Sequence, residues 1–256
     1  MMHSIEHETE YETAGIDVRL CEHFAEVFLY GKKLGTIGLK TNPYHNQHCY
    51  IALDFETYDL ANAKTIFDIL FEKIKKPLQV MISSEEISTI SFLKEAGFLC
   101  KRKCYEVEAQ KRDYIGGNAE EQLECSQFGE SIYEKCRDLM LSRYISTHDT
   151  ISPWTGTKED FYNNLPDKVF YDLDDGIVKN FAFVEEAEIA YVYGTERTDF
   201  LVFSKELMTL MFKEYDTITF EADDCDEYAM ILKSFFINQS NESFDTYILL
   251  NGRNSI

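Results

Sequence analysis

The sequence is short of basic residues. It has 25 lysines and arginines against 46 aspartates and glutamates, and its formal net charge is −21. A surface that binds nucleic acid needs basic side chains to neutralise phosphates, and a surface that binds anionic membranes needs them for the same reason. The composition therefore argues against nucleic acid and against membranes as partners. Most of the acidic excess lies in residues 112–256.

The sequence also lacks a long apolar run. No segment approaches the roughly 18 consecutive apolar residues that cross a bilayer. The residues up to Gly15 are polar and acidic, unlike a signal peptide, and a cytoplasmic location is the expectation that follows. Hydrophobic residues still make up 45% and aromatic residues 14% of the 256 residues, which is enough to bury a sizeable core.

The cysteines do not have the spacing of a disulfide framework. There are seven, and their odd number and scatter argue against a disulfide-stabilised fold. His45, His48 and Cys49 are the closest His/Cys group, but no second ligand pair has the spacing of a structural zinc site. The acidic run 223–226 lacks the alternating ligands of an EF-hand loop and is typical of a helix start. We therefore expect no metal site.

Strand and helix patterns alternate along the first part of the chain. Strands that alternate with helices of this length predict a mixed sheet with crossover helices. The predicted elements are two strands within 26–39 around a turn at Gly31, a strand over 48–55, a helix over 60–75, a strand over 78–82, a helix from 83 or 84 to Glu95, and a strand over 104–109.

The same order recurs later in the chain, now preceded by an amphipathic helix and a loop that holds Trp154. Asp175 and Gly176 lie in a good hairpin turn signal. The predicted elements are helices over 129–143 and near 157–163, strands over 169–173, 178–186 and 189–194, a helix over 203–214, a strand over 217–222, a helix over 226–236, and a strand over 246–250.

A breaker cluster at Gly116 and Gly117 separates the two patterns. We therefore predict an N-terminal unit over residues 1–111 that is truncated at its N-terminus. A linker over 112–122 and a C-terminal unit over 123–256 follow it.

One segment, 84–107, resembles the last helix and closing strands of the GCN5-related N-acetyltransferase (GNAT) superfamily. The stretch Phe92–Phe98 is similar to that family's helix-ending pattern, in which a Gly-Phe pair follows a helix packed near acyl-CoA. The flanking strand, helix and strand in 48–82 match the family's central module. The resemblance implies an α/β fold of two GNAT-like units, each a mixed central sheet flanked by helices.

In the GNAT family the pyrophosphate of acyl-CoA rests on a Gly-rich turn at the start of the central helix. Unpaired N–H groups and the helix dipole favour an anion there. In the second unit Arg197 fills the basic position of the family pattern, while Phe200 and Val202 replace its small residues. The first unit has neither glycine nor a basic residue over 56–62. The resemblance implies acetyl-CoA as the cofactor, held by Tyr193, Gly194, Arg197, Thr198 and Phe200.

The family often places a tyrosine, four residues before the glycine, that reprotonates departing CoA. Leu93 occupies this position in the first unit and Leu232 in the second. Tyr228 or Tyr247 could substitute as the acid, and Glu188 could act as a general base through water.

Each candidate residue has a simpler interpretation. Arg197 could be an exposed arginine paired with Glu196 or Asp199. Glu188 could be one member of a solvated acidic run. Trp154 and Tyr162 could line an acceptor pocket or serve plain packing. The basic cluster 101–103 is typical of a solvated strand.

Two functions remain open. The first is an N-acetyltransferase that moves an acetyl group from acetyl-CoA to a small-molecule or peptide amine. The second is a catalytically inactive GNAT-like binding or interaction protein that has lost the pyrophosphate loop. A homodimer is compatible with either function.

Overall fold

The structure, a computed structural model, describes residues 15–117, 119 and 123–250. The predicted α/β class is confirmed, with a mixed sheet flanked by helices. The elements of the first half are β1 (Ile16–Leu20), β2 (Phe24–Leu29), β3 (Lys32–Lys40), β4 (Cys49–Phe55), α1 (Ala63–Ile74), β5 (Leu78–Ser83), α2 (Ile87–Glu95) and β6 (Leu99–Gln110).

The second half repeats this plan and adds two helices before its hairpin. Its elements are β7 (Glu124–Gln127), α3 (Ser131–His148), α4 (Lys158–Tyr162), β8 (Lys168–Asp174), β9 (Ile177–Glu185), β10 (Glu188–Gly194), α5 (Arg197–Glu214), β11 (Thr217–Asp223), α6 (Glu227–Ser234) and β12 (Phe244–Leu249).

The twelve strands of the described residues form one continuous sheet, because the two halves exchange their closing strands. The order is β1-β2-β3-β4-β5-β12-β6-β11-β10-β9-β8-β7. Strand β12, the last in sequence, lies between β5 and β6 of the first half and is antiparallel to both. Strand β6 in turn pairs antiparallel with β11 of the second half, with Gln110 opposite Thr217 and Cys104 opposite Asp223.

The exchanged strands supply core residues to the opposite half. Tyr247 and Leu249 of β12 are buried in the first core, between the sheet and helices α1 and α2. Val107 and Ala109 of β6 are buried in the second core, under α5 and α6. Full burial of a large apolar side chain stabilises a fold by about 1.5–3 kcal/mol, so each half depends on residues that the other contributes.

A third core packs α3 and α4 against the other face of β8 and β9. Tyr133 and Phe183 lie at its centre in an edge-to-face contact, with ring centroids 5.5 Å apart. This core fixes α3 over the sheet, and the C-terminal end of α3 thereby reaches the strands β10 and β11 that define the candidate site.

Helix α5 begins at Arg197, six residues earlier than predicted. The stretch 197–202 carries no strong start signal, and Glu196 at the N-cap makes no side-chain hydrogen bond to the helix. Phe200 and Phe203, three residues apart, both face the core and are buried, and this packing decides the helix start. Strands β1 and β7 lie at the two sheet edges and were not predicted.

The start of the predicted linker lies against the second half. Residues Lys111–Asp113 form a 3-10 turn, and the Ile115 N–H donates to the Phe235 carbonyl at 2.9 Å. Tyr114 forms an isolated bridge with Phe236. The boundary at 112–122 remains a prediction. Among the described residues, no helix is long and apolar enough to cross a membrane.

We expect limited proteolysis to cut between about residues 111 and 122, since breaker-rich loops are preferred cleavage sites. The two fragments should then co-elute in size-exclusion chromatography without denaturant, because β12 is held between β5 and β6. In urea they should separate, which is the control. Fragments that separate under native conditions would contradict the strand exchange. Cleavage confined to 189–194 would contradict the boundary.

Candidate functional site

A cleft passes through the sheet in the second half, where two parallel strands separate. Strands β10 and β11 pair at Glu188 with Thr219 and at Ile189 with Phe220. A register irregularity between Ile189 and Tyr191 then turns β10 away. The gap is a cavity of about 190 Å³ that α3 borders on one face of the sheet and α6 on the other.

The cleft is mainly polar at the α3 face, and one of its side chains comes from the first half. The polar and aromatic residues that line it include Arg102, Tyr144, His148, Tyr191, Glu221 and Asp223. Arg102 belongs to the exchanged strand β6, so the first half of the chain completes the wall of a cleft in the second.

Arg102 and Asp223 form a largely buried ion pair. The Arg102 Nη1 lies 3.1 Å from Asp223 Oδ2, and the two side chains are 17% and 19% exposed. Burial opposes the charge of Arg102, but the carboxylate of Asp223 and the other acidic groups nearby together outweigh it, so the pKa of Arg102 is raised. Asp223 Oδ1 and Arg102 Nε are buried with no hydrogen-bond partner among the described residues.

His148 is held as a neutral imidazole beside this pair. Its Nε2 lies 3.3 Å from Arg102 Nη1, and because a guanidinium can only donate, Nε2 must accept. Its Nδ1 lies 2.9 Å from the Tyr144 carbonyl and therefore carries the proton. Burial, followed by the positive charge of Arg102, lowers the pKa of His148, which agrees with the neutral form.

Glu221 is a carboxylate of the cleft with a raised pKa. Desolvation, followed by repulsion from Asp223, raises the pKa of Glu221 above its usual value. The Cys104 thiol donates to Glu221 Oε2 at 3.7 Å. A carboxylate with a raised pKa in a cleft is a candidate general base.

Three of the predicted site residues meet at the end of β10. A Cβ on Gly194 would lie 2.8 Å from Tyr228 Cε1 and 3.0 Å from both Phe200 Cδ2 and Asn180 Oδ1. Phe200 is fully buried and Tyr228 nearly so, and their ring centroids are 4.7 Å apart. The two rings cover the Gly194 backbone from inside the fold, and burial raises the pKa of Tyr228.

The remaining predicted cofactor residues surround the first turn of α5. Arg197 is exposed and forms an ion pair with Glu227, with Nη1 3.0 Å from Oε1; neither Glu196 nor Asp199 is its partner in this pair. Thr198 Oγ1 donates to Asp199 Oδ1 at 3.4 Å. Tyr193 points to the α3 face, where it stacks on Phe181 at a centroid distance of 4.7 Å.

The structure places Glu188 and Tyr247 away from these residues. Glu188 is exposed at the first position of β10, opposite Glu185 of β9. Tyr247 lies in the core of the first half, paired with Val80 of β5 and Cys100 of β6, and burial raises its pKa to about 12. Neither residue lines the cleft between β10 and β11.

The aromatic residues of the loop after α3 pack between the two halves. Trp154 stacks on Tyr44 of the β3–β4 loop at a centroid distance of 5.3 Å. Tyr162 donates to Asp138 and carries Arg137 over its ring. In the part of the chain that the structure describes, no group of three His, Cys, Asp or Glu side chains could hold a metal.

Sequence reasoning missed most of the cleft. Arg102 was interpreted as part of a solvated strand, yet it is largely buried in the ion pair with Asp223. Tyr144 and His148 stand four apart on α3, and Glu221 and Asp223 stand two apart on β11. These spacings place each pair on one face of its element, which was the available signal.

The comparisons with known proteins identify the fold. A GCN5-related N-acetyltransferase from Sphaerobacter thermophilus matches 93% of this chain and 83% of its own with a TM-score of 0.51 at 10% identity. A tandem GNAT protein from the clavulanic acid biosynthesis pathway matches 94% of this chain and 85% of its own, with a TM-score of 0.49 at 6% identity. No protein-family model matches the sequence, and no curated protein matches it significantly.

The likeness to the Sphaerobacter thermophilus protein identifies the class of fold. Two pairs of parallel strands that separate after two residues, β4 with β5 and β10 with β11, agree with it. Strands β4 and β5 of the first half also pair over two residues, Cys49 with Leu78 and Tyr50 with Gln79. The chain therefore has the fold of GCN5-related N-acetyltransferases, built twice in tandem. The predicted resemblance is confirmed at the level of the fold.

We expect Arg102→Ala to lower the free energy of unfolding by about 1.5–3 kcal/mol, because it leaves the buried Asp223 carboxylate without its charged partner. Urea denaturation would measure this. The matched control is Arg112→Ala, whose side chain is 78% exposed and which should change stability by less than about 0.5 kcal/mol. Equal effects of the two substitutions would show that the Arg102–Asp223 pair does not support the cleft.

Proposed function

We propose that the protein is an N-acyltransferase that transfers an acetyl group from acetyl-CoA to an amine in the cleft of its second half. The observation that carries the proposal is the cleft itself, in which Glu221 and the separated strands β10 and β11 meet within one cavity. Backbone groups of β10 beyond Ile189 have no partner on β11. These N–H and C=O groups can therefore form hydrogen bonds with a ligand that enters the gap between β10 and β11.

The cofactor's pyrophosphate would lie at the start of α5. This helix has 18 residues, and no side chain caps its first turn, so its N–H groups and dipole are available to an anion. Arg197 stands at this point, exposed, and can exchange Glu227 for a phosphate. Glu196 and Asp199 flank the same turn and oppose the binding of an anion.

Attack of an amine on a thioester needs positioning and a proton acceptor more than a special nucleophile. An amine that arrives as an ammonium ion must lose two protons before the amide is complete. Glu221 lies in the cleft and can accept the first. The acidic second half attracts a cationic acceptor over a distance, and the proposed partner is therefore a small-molecule or peptide amine.

The second candidate is a GNAT-like binding protein without turnover. The observation that favours it is the packing of Phe200 and Tyr228 around Gly194, where the family pattern has small residues. Binding of acetyl-CoA without transfer to polyamines, aminoglycosides or peptide amines would support this candidate. We expect slow transfer, and a turnover number near the enzyme median of about 10 s⁻¹ would contradict this expectation.

Acetyl-CoA should stabilise the protein, by roughly 2.7 kcal/mol when its concentration is 100-fold above the dissociation constant. Arg197→Ala should weaken binding by about 1.5–3 kcal/mol, the usual contribution of a hydrogen bond to a charged group. Calorimetry and thermal unfolding would measure both. The control is Arg19→Ala, an exposed arginine paired with Asp17 in β1. Unchanged affinity in Arg197→Ala would remove Arg197 from the cofactor site.

Glu221→Gln should lower kcat by roughly 10²-fold or more, since it removes a general base while keeping the shape of the side chain. In the wild type the rate should rise with pH as Glu221 loses its proton, and the raised pKa places this rise above the usual range of a glutamate. The matched control is Glu108→Gln, at an exposed glutamate of β6. Equal rates and equal pH profiles in wild type and Glu221→Gln would refute the role of Glu221.

A further inference from the structure

The β3–β4 loop of the first half reaches the cleft of the second half through His45. The His45 Nε2 lies 3.1 Å from the Tyr144 hydroxyl, and Tyr144 lines the cleft from α3. His45 is separated from Tyr144 by 99 residues in sequence. The contact exists because the two halves pack against each other at this point.

The loop that carries His45 is fixed in place by bonds across the interface. The Thr155 N–H donates to the Tyr44 carbonyl at 2.7 Å, and the Asn46 N–H donates to Thr155 Oγ1 at 3.0 Å. Trp154 contacts the His45 ring edge-on at 5.4 Å. The imidazole is thus held from several sides rather than free to rotate.

The hydrogen bonds of His45 define the direction in which a proton can move. Its Nδ1 lies 2.7 Å from the Ser152 carbonyl and 3.2 Å from the Pro153 carbonyl, and both oxygens can only accept. Nδ1 therefore carries the proton, and Nε2 is the acceptor for the Tyr144 hydroxyl. The Tyr144 oxygen keeps its lone pairs for a donor that enters the cleft.

We propose that Tyr144 and His45 form a proton relay that takes the second proton from the reacting amine, so that the first half supplies the terminal base for the second. The inference rests on the proposed function. The amine nitrogen bonds to the acyl carbon, and the carbon–sulfur bond breaks with its electron pair on sulfur. The nitrogen's proton passes to the Tyr144 oxygen as the Tyr144 proton passes to His45 Nε2. His45 and the released thiolate then exchange protons with water.

The surroundings keep both groups in the states that the relay needs. Burial raises the pKa of Tyr144, so it holds its proton until His45 accepts it. Burial lowers the pKa of His45, and the two carbonyls oppose this, so the imidazole is neutral and able to accept near pH 7. The other titratable or charged groups that face the pair include Arg102, His48, His148, Tyr50, Tyr191 and Asp223.

The experiment compares Tyr144→Phe, His45→Gln and the double variant in acetyl transfer. Glutamine can still accept the Tyr144 hydrogen bond but cannot take its proton. Each single substitution should lower kcat by roughly 10²-fold with KM nearly unchanged, and the double variant should be no slower than the singles, because the residues act in series. His45→Gln should also remove one protonation step from the acidic limb of the pH profile, while Glu221→Gln should retain that step.

The control is His23→Gln, an exposed histidine of the first half that should leave kcat unchanged. A kcat within threefold of an active wild type in Tyr144→Phe or His45→Gln would overturn the relay. Nitrogen NMR of the intact protein tests the geometry without turnover: the proton on Nδ1 of His45 supports the relay, and a proton on Nε2 overturns it. Absence of transfer by the wild type would overturn the proposed function instead.

Discussion

The exchange of closing strands is the constraint on which the rest of the structure depends. Strand β12 fills the gap between β5 and β6, and β6 in turn seals the edge of β11. This pairing carries Tyr247 into the first core and Arg102 to the wall of the second cleft. Neither half has its full core or its full set of polar side chains without the other, so each GNAT-like unit is structurally completed by its neighbour.

Charge balance in the cleft follows from that arrangement. Asp223 and Glu221 stand on the same strand, and two carboxylates this close in a desolvated site raise the cost of ionising either. Burial and repulsion from Asp223 raise the pKa of Glu221, and Arg102 partly offsets this, while burial and the charge of Arg102 lower the pKa of His148. One guanidinium from the first half thus contributes to the pKa of two groups that line the cleft of the second.

The sequence allowed the order of elements to be predicted, because the strand and helix periodicities are clear and the stretch Phe92–Phe98 resembles a known helix ending. The strand exchange could not be predicted, since the sequence of β12 fits a position in either half equally well. The cleft could not be predicted because its residues come from β6, α3 and β11, far apart in the chain. Arg102 in particular lies in a basic run that has the composition of a solvated strand. Cofactor binding at the start of α5 requires Arg197 to break its ion pair with Glu227. Sequence patterns do not reveal that ion pair.

The position of β12 also has a consequence for how the protein is made. Translation delivers β5 and β6 long before residues 244–249, and at ordinary elongation rates the interval is on the order of 10 s. During this time the nascent chain presents two unpaired strand edges beside a half-formed core, which are the features that chaperones recognise and that promote misassembly. The first unit of this protein therefore cannot be completed before residues 244–249 have been synthesised.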